Sequence, residues 1–181
     1  MIVFISGGCK NGKSMKAQEI AKSLADENHG KLYYVATMIP KDDEDLKRVK
    51  RHIKEREGWG FETIEVGNSL DKLIENLDVD GAYLFDSVTA FLENNLFDPK
   101  TYELIKDAPS KVVNQLLQFA KKIQQGKGSI VFVSDYIYSD SIKYDETTDF
   151  YRKSLAKCDR KVAQIADRVM EVVLGNTIDY K

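Results

Sequence analysis

The stretch that decides the fold is Gly7-Gly8-Cys9-Lys10-Asn11-Gly12-Lys13-Ser14, which matches the pattern G-x-x-x-x-G-K-[ST] in full. A short apolar run, Ile2–Ile5, precedes it, and a segment with helical apolar spacing follows it to about Ala25. Where a strand is followed by such a turn and then by a helix, the backbone N–H groups of the turn and the positive end of the helix dipole face a bound phosphate. The stretch therefore predicts a phosphate-binding loop.

Two side chains of this loop are expected to act directly on a nucleotide. Lys13 is placed to reach the β- and γ-phosphates, and the Ser14 hydroxyl is placed to ligate Mg²⁺. A second carboxylate on the Mg²⁺ side is expected where a neighbouring strand ends, and Asp86 follows the apolar run 82–85. Asp135 follows another buried run and is the alternative. Asp86 also has a simpler interpretation, as the N-cap of the helix after it.

Short apolar runs rich in β-formers alternate with helical patterns along the whole chain. The predicted strands are 2–5, 32–35, 61–66, 82–85, 129–133 and 169–174. The predicted helices are 13–25, a charged segment around 46–53, 70–77, 87–96, 104–123 and 150–165, and the main loops are 97–110 and 135–149. This alternation predicts an α/β, P-loop NTPase-like fold with a mostly parallel sheet and helices on both faces. No linker divides the chain, so residues 1–181 are predicted to form a single domain.

The composition narrows the classes of partner and compartment. The 181 residues are 43% hydrophobic and carry a net charge of −2, which gives no reason to expect nucleic acid or an anionic membrane as the main partner. No apolar run approaches the roughly 20 residues that a membrane span needs, and the apolar residues 1–6 are too few for a signal peptide. Two cysteines, Cys9 and Cys158, fit a reducing compartment. These features predict a cytoplasmic protein. The chain has only two histidines, so it offers few ligands for a metal site of the Cys/His kind.

The segment 42–56 concentrates charge in an order that suits a helix dipole, with acidic residues first and basic residues after them. Leu46, Val49 and Ile53 recur at helical spacing, which favours a surface helix that docks by this apolar stripe. His52 lies among the basic residues, where the pattern alone indicates an ordinary solvated histidine. The basic cluster has no interleaved aromatic residues, so RNA binding is not favoured.

Several segments in order resemble the bifunctional adenosylcobinamide kinase/adenosylcobinamide-phosphate guanylyltransferase family of cobalamin biosynthesis. The similarity runs along nearly the whole chain, although each piece other than the phosphate loop is short. The similar segments are Ile2–Gly8 with the rest of the loop, Tyr34–Thr37, Asp43-Glu44, Arg48-Val49, Arg51-His52, Trp59, Thr63–Glu65, Asp86–Thr89, Asn95-Leu96, Ala166–Val169 and Val172–Gly175.

The resemblance implies two reactions. In the first, ATP or GTP phosphorylates the aminopropanol hydroxyl of adenosylcobinamide. In the second, GTP guanylylates a histidine with release of pyrophosphate, and GMP then passes to adenosylcobinamide phosphate. His52 corresponds to that histidine, and a neutral imidazole is a competent nucleophile. The resemblance also implies a homotrimer with the active site near subunit boundaries.

The same resemblance assigns nucleotide contacts outside the phosphate loop. Thr37 falls at a nucleotide-contacting position, for which plain β-propensity is the alternative. Glu65 falls where the family has an acidic residue near guanine. A carboxylate at this place accepts hydrogen bonds from the guanine N1–H and amino group. The alternative is that Glu65 is an ordinary exposed charge at the end of a strand. The further expected contacts beside His52 are Arg51, Ile53 and Lys54, and the cations within one helical turn of it are Arg48, Arg51 and Lys54.

The C-terminal third departs from the family pattern. Asp135-Tyr136-Ile137-Tyr138 stands where the family has Asn-Glu-Val-Gly, while Arg152-Lys153 and Asp159-Arg160 replace an Arg-Asp and an Asn-Gln pair. These changes concern the corrinoid acceptor more than nucleotide binding. Two other functions therefore stay open: a different small-molecule P-loop kinase in which His52 is never modified, and a nucleotide-binding regulatory module with little turnover.

Overall fold

The computed structural model of the chain describes residues 1–181. Its strands are β1 (Ile2–Gly7), β2 (Leu32–Ala36), β3 (Glu62–Glu65), β4 (Ala82–Asp86), β5 (Ser129–Val133), β6 (Arg168–Val173) and β7 (Asn176–Asp179). Its helices are α1 (Lys13–Asn28), α2 (Asp43–Glu55), α3 (Asp71–Glu75), α4 (Val88–Leu96), α5 (Ala108–Ile123) and α6 (Glu146–Ile165). The strands form one sheet in the order β3-β2-β4-β5-β1-β6-β7, in which only β7 runs antiparallel to its neighbour. The predicted mostly parallel α/β fold is confirmed.

Helices cover both faces of the sheet, as expected. On one face, Ala17 and Ala21 of α1 give the helix a side small enough to lie close against the central strands. On the other face, a larger core forms between the sheet and α4, α5 and α6, and it includes Phe85, Phe119 and Phe132. Because both faces are buried, β1, β4 and β5 are continuous apolar runs without alternation.

Helix α2 differs from the prediction that its apolar stripe docks on the core. No residue of α2 is buried, and the side chains of Leu46 and Ile53 are 45% and 56% exposed. The helix lies beside the outer strands, and its stripe borders an open cavity that Val49 and Ile53 help to line. The helical spacing was therefore a correct indicator of the helix, whereas the docking it suggested was wrong.

Further elements differ from the sequence prediction, among them helix α6, which begins at Glu146 and not at 150. Helix α5 begins at Ala108 and not at 104, because residues 98–107 form a compact loop in which the Asp98 carboxylate accepts hydrogen bonds from the backbone N–H groups of Lys100 and Thr101. Strand β7 was not predicted. It returns along β6 through a two-residue turn at Leu174 and Gly175, both with positive φ, which suits a tight hairpin.

The parallel strands bring the ends of β1, β2, β4 and β5 to a single edge of the sheet. The phosphate loop, Thr37, Asp86 and Asp135 all follow or end these strands, so one edge collects most of the expected site. Ligands of open α/β sheets bind at this edge. No helix is both long and apolar enough to cross a membrane.

Candidate active site

The phosphate loop connects β1 to α1 with a backbone that two glycines make possible. Gly12 caps α1 with φ 90°, a conformation that side-chain-bearing residues rarely adopt. A Cβ on Gly7 would collide with the carbonyl oxygen of Val172, because β6 passes close beside the loop. The Gly7 carbonyl accepts a hydrogen bond from the N–H of Tyr136, which ties the loop to the segment after β5. The loop thus has the strand–turn–helix setting that phosphate binding requires.

Lys13 is the buried cation of this loop. Its side chain is 7% exposed, and Nζ donates to the Gly8 carbonyl oxygen at 2.7 Å and lies 2.9 Å from Oδ1 of Asp135. The backbone N–H of Asp135 in turn donates to the Thr89 hydroxyl at 2.8 Å. The carboxylate at the end of β5 therefore balances the lysine charge at the position where nucleotide phosphates are expected.

Asp86 lies deeper, at the end of β4, and accepts a hydrogen bond from the Tyr34 hydroxyl at 2.8 Å. It is not the cap of α4, because the Ser87 side chain accepts from the N–H of Ala90 and fills that role. Burial raises the pKa of the Asp86 carboxyl, while the Tyr34 hydrogen bond and the nearby His52 and Arg56 act in the opposite direction. The Asp86 carboxylate is therefore not used to cap the helix.

A cavity of about 550 Å³ opens between α2 and the ends of β2, β3 and β4. Its size is that of a typical small-molecule site. Apolar side chains line one part of it, among them Met38, Ile39 and Val49. The polar and charged side chains that line it are Tyr34, His52, Arg56, Thr63, Glu65, Asp86 and Ser87. The structure therefore brings together four of the expected residues, which are His52, Ile53, Glu65 and Asp86.

His52 is only partly accessible in this cavity, with 21% of its side chain exposed. Its Nδ1 atom is shielded from solvent and lies 3.4 Å from Oε2 of Glu55. The simple interpretation of His52 as a solvated surface histidine is wrong, because the ring borders the cavity in the company of Asp86 and Arg56.

Arg56 is a functional candidate that the sequence analysis did not single out. Its side chain is 8% exposed, and its guanidinium carbon lies 3.5 Å from the centre of the Tyr34 ring. It takes part in none of the ion pairs of the structure. A buried guanidinium without a carboxylate partner, stacked and bordering a cavity, is suited to bind an anion. The available signal was its spacing, one helical turn after His52.

A second cavity of about 670 Å³ adjoins the first on the other side of Ile53 and Arg56, which line both. Lys50 and Lys54 add positive charge to it, and Gly58 and Gly60 are among the residues that line it. Trp59, between these two glycines, is held by a hydrogen bond from its backbone N–H to the Arg56 carbonyl. Lys54 therefore borders this second, basic cavity and not the one that contains His52.

Two of the expected nucleotide contacts, Thr37 and Arg51, line neither cavity. Thr37 is completely buried beyond the end of β2, and its hydroxyl accepts from the N–H of Ser87 and donates to the Ser87 carbonyl. Through these two hydrogen bonds the side chain holds the turn before α4. Arg51 is turned away from both cavities, and its Nε lies 3.6 Å from Oε1 of Glu55. Arg51 thus acts on a carboxylate of its own helix.

The class of this protein follows from comparison with known protein families. A model of the family described as cobinamide kinase / cobinamide phosphate guanyltransferase matches residues 3–180. The chain belongs to this family. The cobinamide kinase / cobinamide phosphate guanyltransferases are bifunctional enzymes of cobalamin biosynthesis, so the chain is an enzyme of this class. None of the proteins with curated descriptions is similar enough to match the chain.

Solved structures support the fold of this family member independently. The ATPase domain of G40P is 13% identical, has a TM-score of 0.54, and is matched over 94% of this chain and 68% of its own. The flagellar accessory protein FlaH from Methanocaldococcus jannaschii is 16% identical, has a TM-score of 0.51, and is matched over 99% of this chain and 77% of its own. At such low identity these likenesses concern the fold alone.

Proposed function

We propose that this enzyme transfers GMP through a covalent intermediate on His52, in addition to phosphorylating the corrinoid. The observation that supports the proposal is the joint position of His52 and the unpaired Arg56 at one small-molecule cavity. A nucleophile and a buried cation next to it are what attack on a phosphate group requires.

The transfer proceeds in two steps. A ring nitrogen of His52 attacks the α-phosphorus of GTP, forming an N–P bond while the bond to the bridging oxygen breaks and pyrophosphate leaves with the electron pair. A phosphate oxygen of adenosylcobinamide phosphate then attacks the same phosphorus, and the N–P bond breaks to restore the imidazole. Arg56 stabilises the charge on the phosphate oxygens in both steps. Glu65, exposed at the end of β3 and bordering the cavity, accepts hydrogen bonds from the guanine N1–H and amino group.

The kinase reaction is assigned to the phosphate loop. Lys13 moves from Asp135 to the β- and γ-phosphates, and the corrinoid hydroxyl attacks the γ-phosphorus as the nucleoside diphosphate leaves. Asp135, released from the lysine, is then close enough to the phosphate position to accept the hydroxyl proton. The nucleotide is ATP or GTP.

The residues near the phosphate loop suit Mg²⁺ bound together with a nucleotide. Ser14 is the second residue of α1, and Asp86, with Asp135 as the alternative, supplies carboxylate oxygens, the hard ligands that Mg²⁺ prefers. No group of three or more Cys, His, Asp or Glu side chains is gathered to hold a metal alone. Nucleotide phosphates and water would therefore complete the coordination, and Mg²⁺ would neutralise charge on the transferred group.

The assembly and compartment are part of the same proposal. The exposed apolar residues of α2, together with the family resemblance, support a homotrimer whose subunits meet near the cavity. Two free cysteines, one of them exposed in the phosphate loop, support a reducing, cytoplasmic location.

The test is the intact mass of the protein after incubation with GTP and Mg²⁺ in the absence of any corrinoid, followed by peptide mapping. We expect a gain equal to one GMP, lost in mild acid and located on His52. The chain has two histidines, so His29→Asn is a matched control that should keep the adduct while His52→Asn loses it. Binding of GTP without an adduct would show instead a P-loop kinase in which His52 is not modified.

A further inference from the structure

Glu55 lies between two residues of its own helix, and neither contact is explained by the reactions above. Its Oε1 is 3.6 Å from Nε of Arg51, and its Oε2 is 3.4 Å from Nδ1 of His52. The carboxylate is therefore held on one side by a cation and faces the imidazole with its other oxygen.

The environment of Nδ1 makes this contact chemically significant. The atom is inaccessible to solvent and forms no hydrogen bond of normal geometry, so Glu55 is the acceptor within closest reach of a proton on it. A neutral imidazole carries one proton on either nitrogen, and only the other nitrogen has the lone pair for attack. The group that binds one nitrogen consequently decides which nitrogen is the nucleophile. Hydrogen bonds of this kind are often long before substrate binds and shorten in the reactive complex.

We propose that Glu55 is a positioning residue that keeps the proton of His52 on Nδ1, leaving Nε2 as the atom that is guanylylated. The inference rests on the proposed modification of His52 and adds the atom and the residue that selects it. As the N–P bond forms at Nε2, positive charge develops on the ring, and the Glu55 carboxylate stabilises it through the Nδ1 proton. That proton stays on the ring, and the charge disappears again when the N–P bond breaks.

The other charged groups around His52 do not have this geometry. Asp86 acts on the ring from β4, where it is bound by a tyrosine hydroxyl, and Glu65 borders the same cavity from β3. Arg56 is a cation and cannot accept a proton from Nδ1. Only Glu55 has an oxygen recorded within ion-pair distance of that nitrogen.

The first experiment reads the tautomer directly, without any nucleotide. Long-range ¹H–¹⁵N correlation spectra in alkaline buffer, where imidazoles are neutral, distinguish Nδ1–H from Nε2–H rings. We expect His52 to be mainly the Nδ1–H form in the wild type and to shift toward the Nε2–H form in Glu55→Ala. His29, at the C-cap of α1, is the internal control that should not change. A wild-type His52 in the Nε2–H form, or one that Glu55→Ala leaves unaltered, would overturn the inference.

The second experiment measures the rate of adduct formation with GTP. Glu55→Ala should lower the rate at saturating GTP by about 10- to 100-fold, the usual effect of removing a residue that orients a ligating histidine, with little change in KM. Glu55→Gln keeps an oxygen that can accept from Nδ1–H and should recover part of the rate. Glu19→Gln is the matched control and should behave as the wild type. Glu19 is an exposed carboxylate that also pairs with a side chain three residues away on its own helix.

The two experiments separate failure of the inference from failure of the proposed function. If the wild type forms no adduct, covalent transfer is wrong, yet the tautomer spectra still show whether Glu55 orients His52. If the adduct forms equally fast in Glu55→Ala with KM unchanged, the modification stands and the role of Glu55 is refuted. A rise in KM alone would also refute it, because the residue would then contribute to binding and not to the nucleophile.

Discussion

The phosphate loop and helix α2 hold the two halves of the site in opposite ways. The loop is joined to the centre of the sheet, and its lysine is 7% exposed and paired with Asp135. Helix α2 has no buried residue, yet it presents His52 to a cavity whose other walls belong to β2, β3 and β4. The first half is built locally by eight consecutive residues, and the second is assembled from distant segments.

This difference fits the roles proposed above for the two halves. A rigid loop suits phosphate binding, which needs fixed N–H groups and a fixed cation. A helix without core contacts can move relative to the sheet, and few buried contacts mean low local stability. We therefore expect the rigid phosphate loop to bind the nucleotide phosphates. The more mobile helix α2 then brings His52 to them.

The largest effect is expected for Lys13→Ala, which removes the buried cation of the rigid half. Both the kinase and the guanylyl transfer should fall by about 10²–10³-fold, the usual loss when a group that stabilises developing charge is removed. Rates of corrinoid phosphorylation and of GMP adduct formation check this. Lys16→Ala, an exposed lysine of the same helix, is the control. A loss confined to one reaction would mean that the halves use separate phosphate sites.

Phe85→Ala tests the stability of the core beneath the rigid half. The ring is fully buried and packs against Phe91, Phe119 and Phe132, so its removal leaves a cavity. The free energy of unfolding should fall by about 3–5 kcal/mol. Chemical denaturation followed by circular dichroism measures it. A change below about 1 kcal/mol would contradict the close packing described for this face.

Asp159→Asn tests the pH dependence of stability at a buried carboxyl of α6, a helix that packs on the same face of the sheet as Phe85. Burial raises the pKa of Asp159 from 3.8 to about 7, and the Tyr138 hydroxyl donates to it. Between these values the folded state binds a proton that the unfolded state has lost, so wild-type stability should fall as pH rises through this window. The stability difference between wild type and variant should change by up to about 1.4 kcal/mol per pH unit. Denaturation curves at several pH values compare the two, and parallel stability profiles would refute the assignment.

The smallest effect is expected for Leu46→Ser on α2. The side chain is 45% exposed and touches no core of its own subunit, so in dilute protein, where the proposed homotrimer has dissociated, the free energy of unfolding should change by about 0.5 kcal/mol or less. Thermal unfolding of the two proteins at low and high concentration measures this. A much larger loss that grows with protein concentration would show that another copy of the chain covers this face.

The sequence was most informative where structure is local. Gly7, Gly12 and Lys13 lie within a few positions of one another, and their spacing alone specifies the turn and its chemistry. The strands were also predictable, because both faces of a parallel sheet are buried and the resulting apolar runs are easy to recognise. Strand β7 was missed because all four of its residues are exposed, which leaves no hydrophobic pattern.

The cavity around His52 was harder to predict because its geometry depends on tertiary contacts. Arg56 looks like any other base in a charged segment, and only the structure shows it stacked on Tyr34, 22 positions earlier. The hydrogen-bond partner of Thr37 was not predictable for the same reason: its hydroxyl bonds to Ser87, which the chain reaches fifty residues later. Spacing along the sequence could suggest the neighbours of His52 on its own helix, but not which of them turn toward the cavity.

The position of Trp59 gives the protein a built-in optical probe. It is the only tryptophan, and it follows α2 between the two glycines that border the basic cavity. Its emission therefore comes from a single place, next to the half of the site that we expect to move. Excited selectively in a stopped-flow instrument, this one indole would time the arrival of nucleotide without any attached dye.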